Sequence, residues 1–154
     1  MSLIAAGGET ESTATVENAE FFPVLELDQF RAAMRVDGTI TDGRATHALE
    51  SALFDVNQQL AAWAAEKQES GAASINDVQP PPWLPAGAYK RLYLRAVYAT
   101  AKASLIERYR DYDSSGEGDN KAEKLDPVAD DYRRDASWAI SDITGRRRST
   151  VELI

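Results

Sequence analysis

Residues 111–122, DYDSSGEGDNKA, place Asp111, Asp113, Ser115, Gly116, Glu117 and Asp119 near the first nine positions of a calcium-binding EF-hand loop. That chemistry needs a bidentate glutamate at the twelfth position, because it supplies two of about seven oxygens. The twelfth position holds Ala122, and Glu123 comes one residue late. The segment reads better as a solvated acidic turn, and no metal or other cofactor is expected. His47 is the only histidine. Acid–base catalysis needs an oriented partner and metal binding needs several ligands, so His47 reads as a surface residue. Glu107 and Asp111, and Asp131 and Asp135, stand one helical turn apart and could act as paired carboxylates. Arg108, Arg110, Arg133 and Arg134 lie among them, which favours ordinary ion pairing. There is no G-x-S-x-G, no phosphate-cradling glycine loop and no H-E-x-x-H. The expectation is a protein that is not an enzyme.

Two stretches point to binding instead. In YKRLYLRAVY, Tyr89, Tyr93 and Tyr98 recur at helical spacing beside Lys90, Arg91 and Arg95. Interleaved basic and aromatic residues can stack nucleic-acid bases. The competing reading, a helix that buries its rings while arginines cover the rim, is favoured. The second stretch is GRRRSTVELI. Arg146, Arg147 and Arg148 follow a helix end, where positive charge offsets the dipole. Val151, Leu153 and Ile154 then form an apolar, extended segment of a kind that adds to a neighbour's sheet edge or fills a groove. These six residues are the candidate interaction site.

The elements that must carry these residues are helical. Asp28 can cap a short helix with Phe30, Ala33 and Met34 on one face. The turn DGTITDG ends it, and Thr41 or Asp42 caps the next helix. In that helix Ala45, Leu49, Ala52, Leu53, Val56, Leu60 and Trp63 step by three or four, to about Gln68, and Gly71 closes it. Residues 70–87 hold four of the six prolines and read as a semi-rigid connection, with Trp83 and Leu84 pinned to the core or to a neighbour. A third helix runs from about Ala86 to Arg110. Tyr93, Val97, Ala101, Ser104 and Leu105 share one face, and Leu94, Tyr98 and Ile106 widen it, as in a helix buried on more than one side. The last lies between about Lys121 and Thr144, or starts at Pro127 with Asp126 as cap. Its stripe is Leu125, Ala129, Tyr132, Ala136, Ile140 and Ile143.

The predicted fold is all-α: a small helical bundle of one short and three longer helices, with a flexible N-terminal arm and an extended C-terminal tail. The predicted divisions are an acidic arm over 1–20, a helical domain over 21–145 and a tail over 146–154. The 154 residues suit one such domain. A formal charge of −8 argues against a general nucleic-acid binder, and zero cysteines exclude disulfides and thiolate chemistry. The N-terminal stretch has no basic, apolar secretory pattern, and no apolar run approaches the roughly 20 residues that cross a bilayer. A soluble protein with no membrane partner is expected.

Three blocks carry a resemblance: FRAAMRVDGTITDGRATHALESALFDVNQQLAAW, YLRAVYATAKASLIERYRDYD and YRRDASWAISDITGRRRSTVELI. In this order and spacing they closely resemble the head completion (GpL) family of P2-like tailed bacteriophages, over roughly residues 25 to 154. The resemblance implies a structural protein of the virion that joins the capsid after DNA packaging. It is similar to head–tail adaptors that form a ring beneath the portal. Implied partners are the portal protein, neighbouring copies in a ring, tail-proximal joining proteins and packaged DNA in the channel. Implied locations are the head–tail junction and, during assembly, the host cytoplasm. Under this reading the Arg146–Ile154 tail docks on the portal or a neighbour, and the acidic 111–120 loop lines the channel and repels phosphate. Two rival readings remain: a DNA-binding accessory protein using the arginine tail and the Tyr/Arg helix, and a calcium- or metal-dependent enzyme using the acidic loop.

Overall fold

The computed structural model describes the backbone of residues 14–112 and 118–148, and the side chains of 14–108 and 128–148. In order these form β1 (Thr15–Val16), β2 (Leu25–Glu26), α1 (Leu27–Met34), α2 (Asp42–Glu69), a single 3-10 turn at Ile75–Asp77, α3 (Ala88–Tyr112) and α4 (Gly118–Thr144). The fold is all-α apart from one minimal antiparallel pair, in which Thr15 faces Glu26 and Val16 faces Leu25.

Residues 14–20, expected to belong to the arm, pack instead on the bundle. Val16 is buried, and β1 also touches α2. Polarity hid this segment, because its anchor is a closed ring of side chains from three distant places. Asn18 Nδ2 donates to the Tyr93 hydroxyl (2.8 Å) and to the Pro23 carbonyl (2.8 Å). The Tyr93 hydroxyl donates to Asn57 Oδ1 (2.7 Å), and Asn57 Nδ2 donates to Asn18 Oδ1 (2.8 Å). Phe22 stacks on the Tyr93 ring, centroids 4.6 Å apart. Phe21 meets Trp63 edge to face. The two phenylalanines therefore staple the strand pair to α2 and α3.

Asp28 is not the cap of α1. Glu26 holds that position without a side-chain bond, and Asp28 lies in the first turn, where its charge suits the dipole. Leu27 and Phe30 are the buried face, whereas Ala33 is exposed. The helix ends on Arg35 in the left-handed region, with Val36 N–H bonding back to the Arg31 carbonyl (3.0 Å). Arg31 then clamps the turn. It donates to the carbonyls of Asp37 (3.1 Å) and Ile40 (2.7 Å) and to Asp42 Oδ1 (2.7 Å). Thr41 caps α2, its hydroxyl accepting from Arg44 N–H at 3.4 Å.

The α2 stripe is as its spacing predicts: Ala45, Leu49, Ala52, Leu53, Val56, Leu60 and Trp63 are all buried. Gly71, at φ 102°, terminates it. Ala72 N–H reaches the Lys67 carbonyl and Gly71 N–H that of Gln68, each at 3.0 Å, satisfying two carbonyls the helix end would leave open. α3 is the central helix. It packs on α2 and on α4, which touch each other little, so Ala96, Val97, Tyr98 and Ala99 are buried in succession. Small residues allow the close approach to α4, where Ala129, Ala136, Ala139 and Ile143 are buried. Across the same seam Arg95 forms a two-pronged pair with Asp135, Nε to Oδ2 at 3.0 Å, and Arg133 pairs with Glu107. α4 begins at Gly118 rather than at Lys121 or Pro127. Pro127 therefore lies inside the helix, where its missing N–H omits one bond of the ladder.

Candidate assembly interface

α4 delivers the arginine cluster. Gly145, at φ 70°, turns the chain at the helix end, and Arg146, Arg147 and Arg148 are exposed beyond it. Arg148 folds back. Its guanidinium meets both Asp142 oxygens (2.7 and 3.0 Å) and lies 4.9 Å from the Trp138 ring centroid. Arg134, itself bonded to Asp131 at 2.6 Å, approaches the same ring at 5.3 Å. Arg148 is thus fastened to α4, and Arg146 and Arg147 are the cations presented outward. Val151, Leu153 and Ile154 lie outside the described residues, as does the predicted 1–13 part of the arm.

Beside this end lies an open cleft of about 540 Å³, lined by Trp63, Trp83, Leu84, Tyr89 and the α4 terminus from Ser141 to Arg146. Trp83 is not pinned to the core: it is 80% exposed, while Leu84 is half-buried. Of the two roles its proline frame suggested, packing inward is overturned. The frame lifts the indole off the bundle, since Leu84 N–H bonds to the Pro81 carbonyl (2.9 Å) in a tight turn. Phe54, on the outer face of α2, is 69% exposed. Large exposed aromatics of this kind are typical anchors at protein interfaces. Phe54 escaped the sequence reading because one ring between stripe positions has no periodic signature.

At the opposite end, the α1–α2 turn and the C-terminal half of α3 form a basic, apolar-floored trough. His47 sits on its edge and is exposed. Lys102 is partly buried there, and burial holds its pKa below the usual lysine value against the pull of Asp37. Asp37 is held below the usual carboxylate range by hydrogen bonds from Thr39, hydroxyl and backbone, aided weakly by Lys102 and Arg31.

Asp131 pairs with its neighbour Arg134, whereas Asp135 and Glu107 find their partners across the α3–α4 seam, in Arg95 and Arg133. Among the described residues, no group of three or more His, Cys, Asp or Glu side chains is placed to hold a metal ion. The 113–117 stretch and the side chains flanking it lie outside the described residues. Tyr93 and Tyr98 are buried, and Tyr89 is half-buried and rests against Trp63. Burial pushes the Tyr93 and Tyr98 hydroxyls up to about 12. These rings serve the core and are not available for stacking bases. No described helix is long and apolar enough to cross a membrane.

The described body is helical and bears exposed aromatics and a basic end. The model of the phage head completion protein (GPL) family matches residues 16–154. The chain belongs to the phage head completion protein family. It is 35% identical over 140 residues to the head completion/stabilization protein of Escherichia phage P2, covering 90% of this chain and 82% of that protein. No solved structure matches it significantly. The match takes in β2, the Pro-rich connection and the arginine tail as well as the helices.

Proposed function

We propose that this protein is a structural virion component that joins the DNA-filled head of a tailed phage, stabilises it and prepares it for tail joining. Membership of the head completion family across residues 16–154 carries this reading. The finer picture is a ring of copies docked on the portal protein at the head–tail junction, meeting tail-proximal joining proteins on one side and packaged DNA in the channel. Assembly would take place in the host cytoplasm, and the protein works without catalysis or cofactor. The exposed Arg146 and Arg147, with Arg148 folded on Trp138 and Val151, Leu153 and Ile154 beyond, form the arm that grips the portal or the adjacent copy. The outward Trp83 and Phe54 support the same reading, because a monomeric end product has little use for them.

The test uses filled heads from a phage that lacks its own head completion protein. Added full-length protein should protect the packaged DNA from nuclease and restore tail joining. A variant ending at Arg148 should keep its helical circular dichroism but fail to attach. Normal completion by that truncated protein would refute the docking role of the tail.

A further inference from the structure

Trp83 and the cleft beside it are a knob and a hole on one face of the molecule. The indole is 80% exposed, yet its backbone is fixed on both sides. Upstream, Ile75 and Val78 are buried, and Ile75 N–H bonds to the Phe21 carbonyl at 2.9 Å. Around it, Leu84 N–H bonds to the Pro81 carbonyl at 2.9 Å and Ala88 N–H to the Pro85 carbonyl at 3.2 Å. A side chain held on so stiff a frame gives up little conformational freedom on binding. Tryptophan is also among the residues that most often dominate interface energies.

The cleft offers matching chemistry. Its apolar walls are Trp63, Tyr89, Leu92 and Ile143, with the Trp63 and Tyr89 rings 5.2 Å apart. Its volume of about 540 Å³ lies in the range that encloses a drug-sized ligand, so one indole fits. Of the charged side chains in its walls, Glu66 and Lys67 pair with each other (3.2 Å) and Asp142 pairs with Arg148 (2.7 Å). The cleft is therefore suited to an aromatic group. Its own Trp83 stands at the edge, pointed outward by the proline turn, and does not fill it. Because knob and hole adjoin, a twofold axis beside them lays each copy's indole over the other's cleft, which is the reciprocal geometry of an isologous contact.

We propose that two copies of the free protein pair across this face, each Trp83 indole entering the partner's cleft between Trp63, Tyr89 and the α4 terminus. Neither cleft is filled without the partner's residue. Two indoles and the walls they cover amount to roughly 600–1,000 Å². That is below the roughly 1,200 Å² at which stable specific interfaces begin, so the pair is weak and reversible. A twofold pair is closed and recruits no third copy. It withholds Trp83 from other partners until the two copies part. The proposal concerns the protein in solution and stands apart from attachment to heads.

The experiment is sedimentation equilibrium of the full chain across a wide concentration range, with fluorine NMR of fluorotryptophan-labelled protein over the same range. The mass should rise from one copy toward two, and the Trp83 and Trp63 resonances should both move with concentration. Trp83→Ala, at an exposed position, should keep the helical circular dichroism and weaken association by about thirtyfold or more. In that variant the Trp63 resonance should no longer respond to dilution. Leu153→Ser/Ile154→Ser should pair like the parent. A protein that stays monomeric throughout overturns the proposal. So does a dimer that survives Trp83→Ala, or a Trp63 resonance indifferent to dilution in the parent, since either puts the contact on another face. Loss of pairing in the C-terminal variant also overturns it, by making the tail the occupant of the cleft.

Discussion

Tyr93→Phe isolates the bond ring that fastens residues 15–26 to the bundle. The substitution removes one oxygen and leaves the ring, which remains stacked on Phe22, so almost no volume is lost. What disappears is the bond donated to Asn57 Oδ1 and the bond accepted from Asn18 Nδ2. At about 0.5–1.5 kcal/mol net each, the two are worth roughly 1–3 kcal/mol, toward the upper part of that range because Tyr93 is fully buried. For a chain of this size about 2 kcal/mol corresponds to a fall in Tm of about 4–8 °C. Urea unfolding followed by circular dichroism measures the free energy. Hydrogen exchange adds the location: amides of 15–26 should exchange faster before those of α2 and α3 do. Asn57→Ala combined with Tyr93→Phe should cost less than the two singles added, since both break the same ring. A Tyr93→Phe protein as stable as the parent, with unchanged exchange over 15–26, would show that packing of Phe21 and Phe22 alone holds the segment.

Other outcomes follow from the same packing. Leu60→Ala, at a fully buried α2 position, should cost about 2–5 kcal/mol in a denaturant titration. Arg95→Ala breaks the α3–α4 pair with Asp135, but both side chains are over a third exposed, so thermal melts should register no more than about 1 kcal/mol. The Tyr93 and Tyr98 hydroxyls sit near 12 when folded, above the unfolded value near 10. Raised folded values mean that their contribution is complete below pH 10 and is lost as pH rises from 10 toward 12. These two should titrate late, toward pH 12, in a tyrosinate absorbance titration, and stability should fall over that window. Arg148→Ala removes one of two cations over Trp138 and should alter its fluorescence while changing stability by less than about 1 kcal/mol.

Helix register, the stop at Gly71 and the central place of α3 were legible before any coordinates. Each depends on neighbours within a turn or two: the α2 stripe repeats at the helical period, and the mixed apolar faces of α3 demand partners on two sides. Ion pairing of the carboxylates was legible only in part: Arg134 stands three residues from Asp131, whereas Asp135 and Glu107 meet Arg95 and Arg133 only across the α3–α4 seam. The end of the sequence also marked Arg146–Arg148 as the basic end, although nothing local revealed that Arg148 turns back onto Trp138 and Asp142.

Tertiary structure decided the rest, and the reason is distance along the chain. Asn18, Asn57 and Tyr93 are polar residues spread over 75 positions, and only their meeting point makes them an anchor that joins residues 14–20 to the bundle. The trough joins Arg35 and Arg44 to Lys102 and Arg108, residues far apart in the sequence, so their meeting is invisible there. Trp83 shows the converse: a large apolar residue in a rigid proline frame favours burial on average, but the frame's turn fixes which way it faces, and here it faces out. Periodicity is a property of short segments and survives in the sequence; charge fields, bond networks and exposure are sums over what the fold brings together.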